Sequence, residues 1–385
     1  MKTIVHITAT ILYFGFTQLA AQWKDNSQFT TGTISFDSHP RIDTEYDMVS
    51  VRISDLNNDG RNDVICGSFY RNTIYIYYQN ANGNLDPFTT FTLVNSTQYI
   101  DVGDLNGDDR KDIVIGAFSE KLRIAFQNND GTFSISTLEN SSIGTRGVRI
   151  GDLNNDGKND VAVSLRDSSY FKVYHQSLSG AFETIVQYPC GINTNMDIPI
   201  EIGDINQDGL NDVVIGSSPY YRALTIYRQT QNGTMQFHQF IPVPSRIKDF
   251  TISDVSGDGR NDITASISNN RPTSFIVVFP QDSAGYFPDV PSFYPSIDIP
   301  SAIENADLNN DGRSDIAVLH SGWYVVSFYE QLIDGTFGSR ILYGAMHNSY
   351  SKDCLAIGDI SGDGKKDIVI VGQSGGIQIM INTSP

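Results

Sequence analysis

What most constrains this chain is a nine-residue acidic loop that returns seven times. It reads DLNNDGRND at 55–63, DLNGDDRKD at 104–112, DLNNDGKND at 152–160 and DINQDGLND at 204–212. It continues as DVSGDGRND at 254–262, DLNNDGRSD at 307–315 and DISGDGKKD at 359–367. Successive copies begin 48 to 53 residues apart. A fixed period of this length marks a repeat architecture, in which one supersecondary unit buries its faces against the next.

The flanks define that unit. Before each loop stands a short alternating segment, such as VRIS, IDVG or IEIG, and after it a near-continuous apolar run, such as DVICGSF or DIVIGAF. Alternation and β-branched runs of this length read as strands. A third run ends at Gln79, Gln127, Gln176, Gln229, Gln281 and Gln331, and a glycine follows each four residues later. That glycine marks a tight turn into a fourth strand. No segment carries a helical period.

Four antiparallel strands per repeat, seven times over, predict an all-β, seven-bladed β-propeller of four-stranded blades. The seventh repeat ends after its third strand, at GIQIMINTSP, and QFTTGTISF at 28–36 precedes the first repeat. The N-terminal strand is expected to complete the last blade and close the ring, which removes an exposed edge.

Positions one, three, five, seven and nine of each loop can converge on one point. In the first copy they are Asp55, Asn57, Asp59, the carbonyl of Arg61, and Asp63. The second has Asp104, Asn106, Asp108, Arg110 and Asp112; the third Asp152, Asn154, Asp156, Lys158 and Asp160; the fourth Asp204, Asn206, Asp208, Leu210 and Asp212. The fifth has Asp254, Ser256, Asp258, Arg260 and Asp262; the sixth Asp307, Asn309, Asp311, Arg313 and Asp315; the seventh Asp359, Ser361, Asp363, Lys365 and Asp367. All offer hard oxygen donors suited to Ca²⁺, up to seven ions per chain. Position six is expected at positive φ and is glycine in every copy but one, where Asp109 stands. An EF-hand would need a glutamate at position twelve. Here that position holds Cys66, Ile115, Val163, Ile215, Ala265, Val318 and Ile370, so the EF-hand reading fails.

Seven D-x-[NS]-x-D-x-x-x-D loops between strands resemble the FG-GAP or VCBS repeats of integrin-like β-propellers. The resemblance covers nearly all of the chain past residue 21 and implies calcium between strands one and two of each blade. The words that name FG-GAP are only partly present, as GAF at 116–118, so the VCBS label fits better.

The 44 acidic against 26 basic residues give a net charge of −18. Bound divalent ions would offset most of it, and a chain this acidic is not expected to bind nucleic acid. Residues 1–21 read as a secretory signal peptide, with Lys2, a short apolar stretch and Ala20-Ala21. The mature propeller is then 22–385, with no membrane span, and is expected outside the cell, in a periplasm or on a cell surface. Three cysteines, Cys66, Cys190 and Cys354, argue against a disulfide framework, although Cys66 and Cys354 fall in neighbouring blades.

Strand direction puts the acidic loops and glycine turns on one face. The loops from strand two to strand three share the other and carry Tyr70, Arg71, Tyr220, Tyr221, Arg222 and Trp323, residue types common in binding hot spots. They are the candidate ligand-binding residues, for carbohydrate or an extracellular protein. First-strand residues Arg52, Asp101, Arg149, Glu201 and Glu304 either ring an open channel or form a buried ion-pair girdle. No protease, nucleophile-elbow or phosphate-loop motif is present. The histidines past the signal, His39, His175, His238, His320 and His347, do not cluster, and His175 reads as a packing residue. The reading is a lectin- or adhesin-like interaction module. The alternative is a polysaccharide lyase or dehydratase on the same scaffold.

Overall fold

A computed structural model describes residues 33–38, 41–44, 47–93, 97–191, 198–217, 223–321, 323–348, 351–373 and 375–385. Residues 1–21, read from the sequence as a signal peptide, lie outside them. The described residues form seven four-stranded antiparallel sheets and no helix.

Blade one shows how the sequence builds each unit. Its strands are Ser50–Ser54, Asp63–Ser68, Thr73–Tyr77 and Thr89–Thr92. The second and third are buried throughout, which explains their near-continuous apolar runs: both faces of such a strand meet neighbouring blades. The fourth is mostly exposed, at the outer edge. The first strands of successive blades contact one another around the axis and return from blade seven to blade one.

The core lies between blades. One cluster joins Val214, Leu224 and Ile226 of blade four to Phe250, Ile263 and Val277 of blade five. Another joins Val51 and Val64 of blade one to Ile368 and Ile370 of blade seven, across the seam. No blade could bury these faces alone.

The seam closes as expected, with one shift. Blade seven has Leu355–Gly358, Asp367–Val371 and Ile377–Asn382 from the C-terminus. Its fourth strand is Phe36–Ser38, paired antiparallel so that Phe36 faces Asn382 and Ser38 faces Met380. The strand therefore begins where the predicted segment 28–36 ends, and 28–32 lie outside the described residues. The amide of Thr383 donates to the Ser35 carbonyl at 2.8 Å, extending the pairing.

Candidate functional site

Each acidic loop is wound by two residues at positive φ. In the first copy these are Asn58 at 58° and Gly60 at 82°. Position six is left-handed in all seven copies, Asp109 included, at 65°. Position four behaves the same way, as Asn58, Gly107, Asn155, Gln207, Gly257, Asn310 and Gly362. The frequent Asn and Gly there were the signal for this second turn, since both tolerate that region.

The winding brings positions one, three and five together. The Asp55 carboxylate accepts from the amides of Asp59 at 3.0 Å and Gly60 at 2.8 Å. Asn57 Oδ1 accepts from the same Asp59 amide at 3.1 Å. The pattern recurs at Asp152, Asp204 and Asp307 with their own loop amides. At Asp104 burial pushes the carboxyl up, but the amides of Asn106, Asp109, Gly107 and Asp108 outweigh it and hold it below the usual range.

Position nine does a different job. Asp63 is fully buried, and its two oxygens accept from the Leu56 and Gln79 amides at 3.0 and 2.9 Å. The same pair of bonds forms at Asp112, Asp160, Asp212, Asp262, Asp315 and Asp367. This aspartate pins the loop to the end of strand three. Burial pushes its carboxyl up, to about 6 at Asp63 and Asp112 and about 7 at Asp212 and Asp315. His175 is more than a packing residue: its Nδ1 lies 2.8 Å from Asp160 Oδ2.

Position seven divides the copies. Arg61, Arg110, Arg260 and Arg313 each pair with the position-five aspartate of their own loop. Their Nε atoms donate to the carbonyls of Gln79, Gln127, Gln281 and Gln331 at 2.9 to 3.0 Å. Lys158, Leu210 and Lys365 take this place in the other three copies. Among the described residues, no three Asp, Glu, His or Cys side chains gather closely enough to hold a metal by themselves. The donor set still fits a hard cation. Positions one, three and five are clustered with lone pairs remaining on each oxygen, and amide and hydroxyl oxygens and backbone carbonyls complete an oxygen-only shell.

The loops also stitch the blades. Gln127 Nε2 donates to the Leu56 carbonyl at 2.9 Å, and Gln281 Nε2 to that of Ile205 at 2.8 Å, each reaching the preceding blade's loop. The turn glycines pack against those loops too. A Cβ on Gly83 would stand 2.0 Å from the Ser361 carbonyl, and one on Gly233 2.0 Å from that of Asn154.

Ion pairs join four of the five first-strand residues, so the girdle is the alternative that forms over that part of the ring. Arg52 pairs with Asp101 at 3.1 Å and Asp353 at 2.8 Å, while Arg149 pairs with Glu201 and, at 3.1 Å, with Asp353. Lys352 adds a further bond to Asp353 at 3.3 Å. Although burial pushes the Asp353 carboxyl up, these cations hold it far below the carboxylate range. Glu304 is pushed up to about 7 by burial and then by Glu201. Asp353 and Lys352 precede the alternating LAIG segment, so the strand pattern carried no sign of them.

On the opposite face Tyr70 is 71% exposed, and Trp323 and Tyr324 about half exposed. Arg71 sits at the tip beside Tyr70. Tyr220, Tyr221 and Arg222 lie outside the described residues. The three cysteines are buried and free, so Cys66 and Cys354 form no bridge.

A closed ring of seven four-stranded blades, each with a wound acidic loop between its first two strands, defines a seven-bladed repeat β-propeller. The chain belongs to the FG-GAP-like repeat family, whose model matches residues 55–115, 104–163, 152–215, 204–265 and 307–370. Each match starts on the first aspartate of one loop and ends in the second strand of the next blade. The family name applies although the sequence holds only the partial word GAF. A search of curated proteins finds none that matches the chain.

Proposed function

We propose that the chain is a secreted or cell-surface, calcium-stabilised propeller that binds carbohydrate or an extracellular protein on the face opposite its acidic loops. FG-GAP-like repeats are typical of extracellular proteins, and no helix among the described residues is long and apolar enough to cross a membrane. Calcium would be held by positions one, three and five, by the position-seven carbonyl and, through its remaining lone pairs, by position nine. Its charge would replace the contacts that now separate the loop carboxylates.

The observation that carries the binding role is the aromatic exposure on that face. Tyr70, Trp323 and Tyr324 stand in solvent on loops whose backbone is tied to a rigid ring. Exposed rings on a fixed scaffold are what a partner would bury. A glycan and extracellular-protein array, run in calcium and again in chelator, tests the reading. Trp323→Ala and Tyr70→Ala are expected to weaken whatever binds while the melting temperature stays put. No ligand on either array, or equal binding by both variants, would overturn it.

A further inference from the structure

A cleft of about 500 Å³ opens on that same face, where blade five passes into blade six. Its walls include Arg246 and Lys248, the loop residues Ser268, Asn269 and Asn270, and Ile299 of the crossing segment. Two cations in one cleft stand out on a chain of net charge −18. Arg246 Nε is buried there without a hydrogen-bond partner, and a buried unmet donor is costly unless something supplies an acceptor.

The walls are held in place. Asn269 Nδ2 donates to Ser245 Oγ at 3.0 Å and to the Thr273 carbonyl at 3.1 Å. Ile299 sits at a φ of 53°, a conformation that a β-branched residue adopts only when its surroundings force it. Its amide donates to Asn269 and its carbonyl accepts from Ser321, at 2.9 and 3.0 Å. Trp323 lies beyond the lining and is tied to it through Asp298 and Arg271, which adjoin the lining residues Ile299 and Asn270. Trp323 Nε1 donates to Asp298 Oδ2 at 3.1 Å, and the Arg271 guanidinium lies 5.1 Å from the Trp323 ring centre. The rim carboxylate Asp298 is taken up by Trp323 and Arg271.

We infer that this cleft is a binding site for an acidic saccharide, one bearing a carboxylate or a sulfate on a hydroxylated ring. Arg246 meets the anion with Lys248 adding positive charge behind it, the serine and asparagine side chains meet hydroxyls, and the Trp323 ring offers a platform for a sugar face. An acidic peptide such as an oligo-glutamate would satisfy the cations and, through its backbone, some of the wall, but it brings no ring face to Trp323. This rests on the binding role proposed above and names its ligand class.

The test is calorimetric titration of the intact protein in calcium with four probes: tri-galacturonate, its fully methyl-esterified counterpart, a 6-sulfated galactose trisaccharide and tetra-glutamate. At least one of the two anionic sugars is expected to bind at least tenfold tighter than the methyl ester, and whichever does identifies the anion. Arg246→Gln is expected to weaken that binding at least tenfold and Asn270→Ala several-fold, with melting temperatures unchanged. Equal binding of the neutral ester, equal binding of the peptide, or an unchanged affinity in both variants would overturn the site. Another ligand that binds, is sensitive to Trp323→Ala and is indifferent to Arg246→Gln would overturn this inference but leave the binding role intact. A failure of every probe and of both arrays would overturn the two together.

Discussion

The Asn62 side-chain amide donates to the Asp359 backbone carbonyl at 3.1 Å, and so joins the first blade to the last. Nearly three hundred residues separate the two in sequence. The same bond runs from Asn159 to Asp104, Asn211 to Asp152 and Asn261 to Asp204, always from position eight of one loop to position one of the preceding blade's loop. The loops that would bind an ion are thus also the hoop around the ring.

Removing one stitch costs about one hydrogen bond, or about 1 kcal/mol. Asn62→Ala is expected to lower the denaturation midpoint by that amount, and the quadruple variant at 62, 159, 211 and 261 by about 4 kcal/mol, since the sites are well separated. Urea unfolding checks both. No change in the quadruple variant would remove these bonds from the account.

The position-seven arginines should matter most without metal. In the copies of Arg61, Arg110, Arg260 and Arg313 the guanidinium supplies the counter-charge to position five. Arg313→Met is expected to cost about 1–2 kcal/mol in chelator and less in calcium, where the ion supplies that charge. An equal loss in both conditions would contradict the substitution of one charge for the other.

Asp353 holds three cations at once: Arg52, Arg149 and Lys352. Asp353→Asn removes the carboxylate the three share, leaving Arg52 only Asp101 and Arg149 only Glu201 as ion-pair partners, and a loss of about 3–5 kcal/mol is expected. Asp101 pairs with one cation, Arg52, accepts from the Ile150 amide at 2.8 Å and is partly solvated, so Asp101→Asn should cost less. Chemical denaturation of the two variants compares them, and the reverse order would refute the central role of Asp353.

Acidity should stabilise the metal-free protein over part of its range. Asp63, Asp112, Asp212, Asp315 and Glu304 titrate near 6 to 7 when folded, because burial penalises their charged forms. Unfolded carboxyls titrate near 4. Between those values the folded state binds more protons, so stability falls as pH rises from about 4 to 7. His320 opposes this: burial, then Arg340, lowers it to about 3, so it costs stability as pH drops below about 6.5. Burial lowers His238 as well, and it raises Asp249, Asp262 and Asp367 alongside the five, so two groups stand against eight. In chelator the melting temperature is expected to rise from pH 7 to pH 5.5, and in saturating calcium the rise should shrink, because the ion favours the anions. A steady fall in chelator over that window would refute the assignment.

The ring was legible in the sequence because period, strand pattern and turn glycines all described one unit. The sharp turn at position six of each loop was legible for the same reason. What was hidden came from neighbours in space. Asp63 and its counterparts read as metal donors, yet each also caps two backbone amides, one of them from a strand that follows a turn away. Arg61 read as a carbonyl, yet its side chain reaches Asp59 and Gln79. The closing strand was placed early because a three-residue strand takes its register from Ile377–Asn382, not from its own alternation. The cleft at Arg246 was invisible because its walls come from three separated segments.

Seven wound loops, one per blade, are proposed to hold one divalent ion each. Native mass spectrometry of the calcium-equilibrated chain, paired with a melt before and after chelation, tests this most directly. Several Ca²⁺ per chain, up to seven, are expected, with a melt that drops on chelation, since each independent site at tenfold excess over its Kd adds about 1.4 kcal/mol. A chain that retains no calcium and melts at the same temperature in chelator would contradict it.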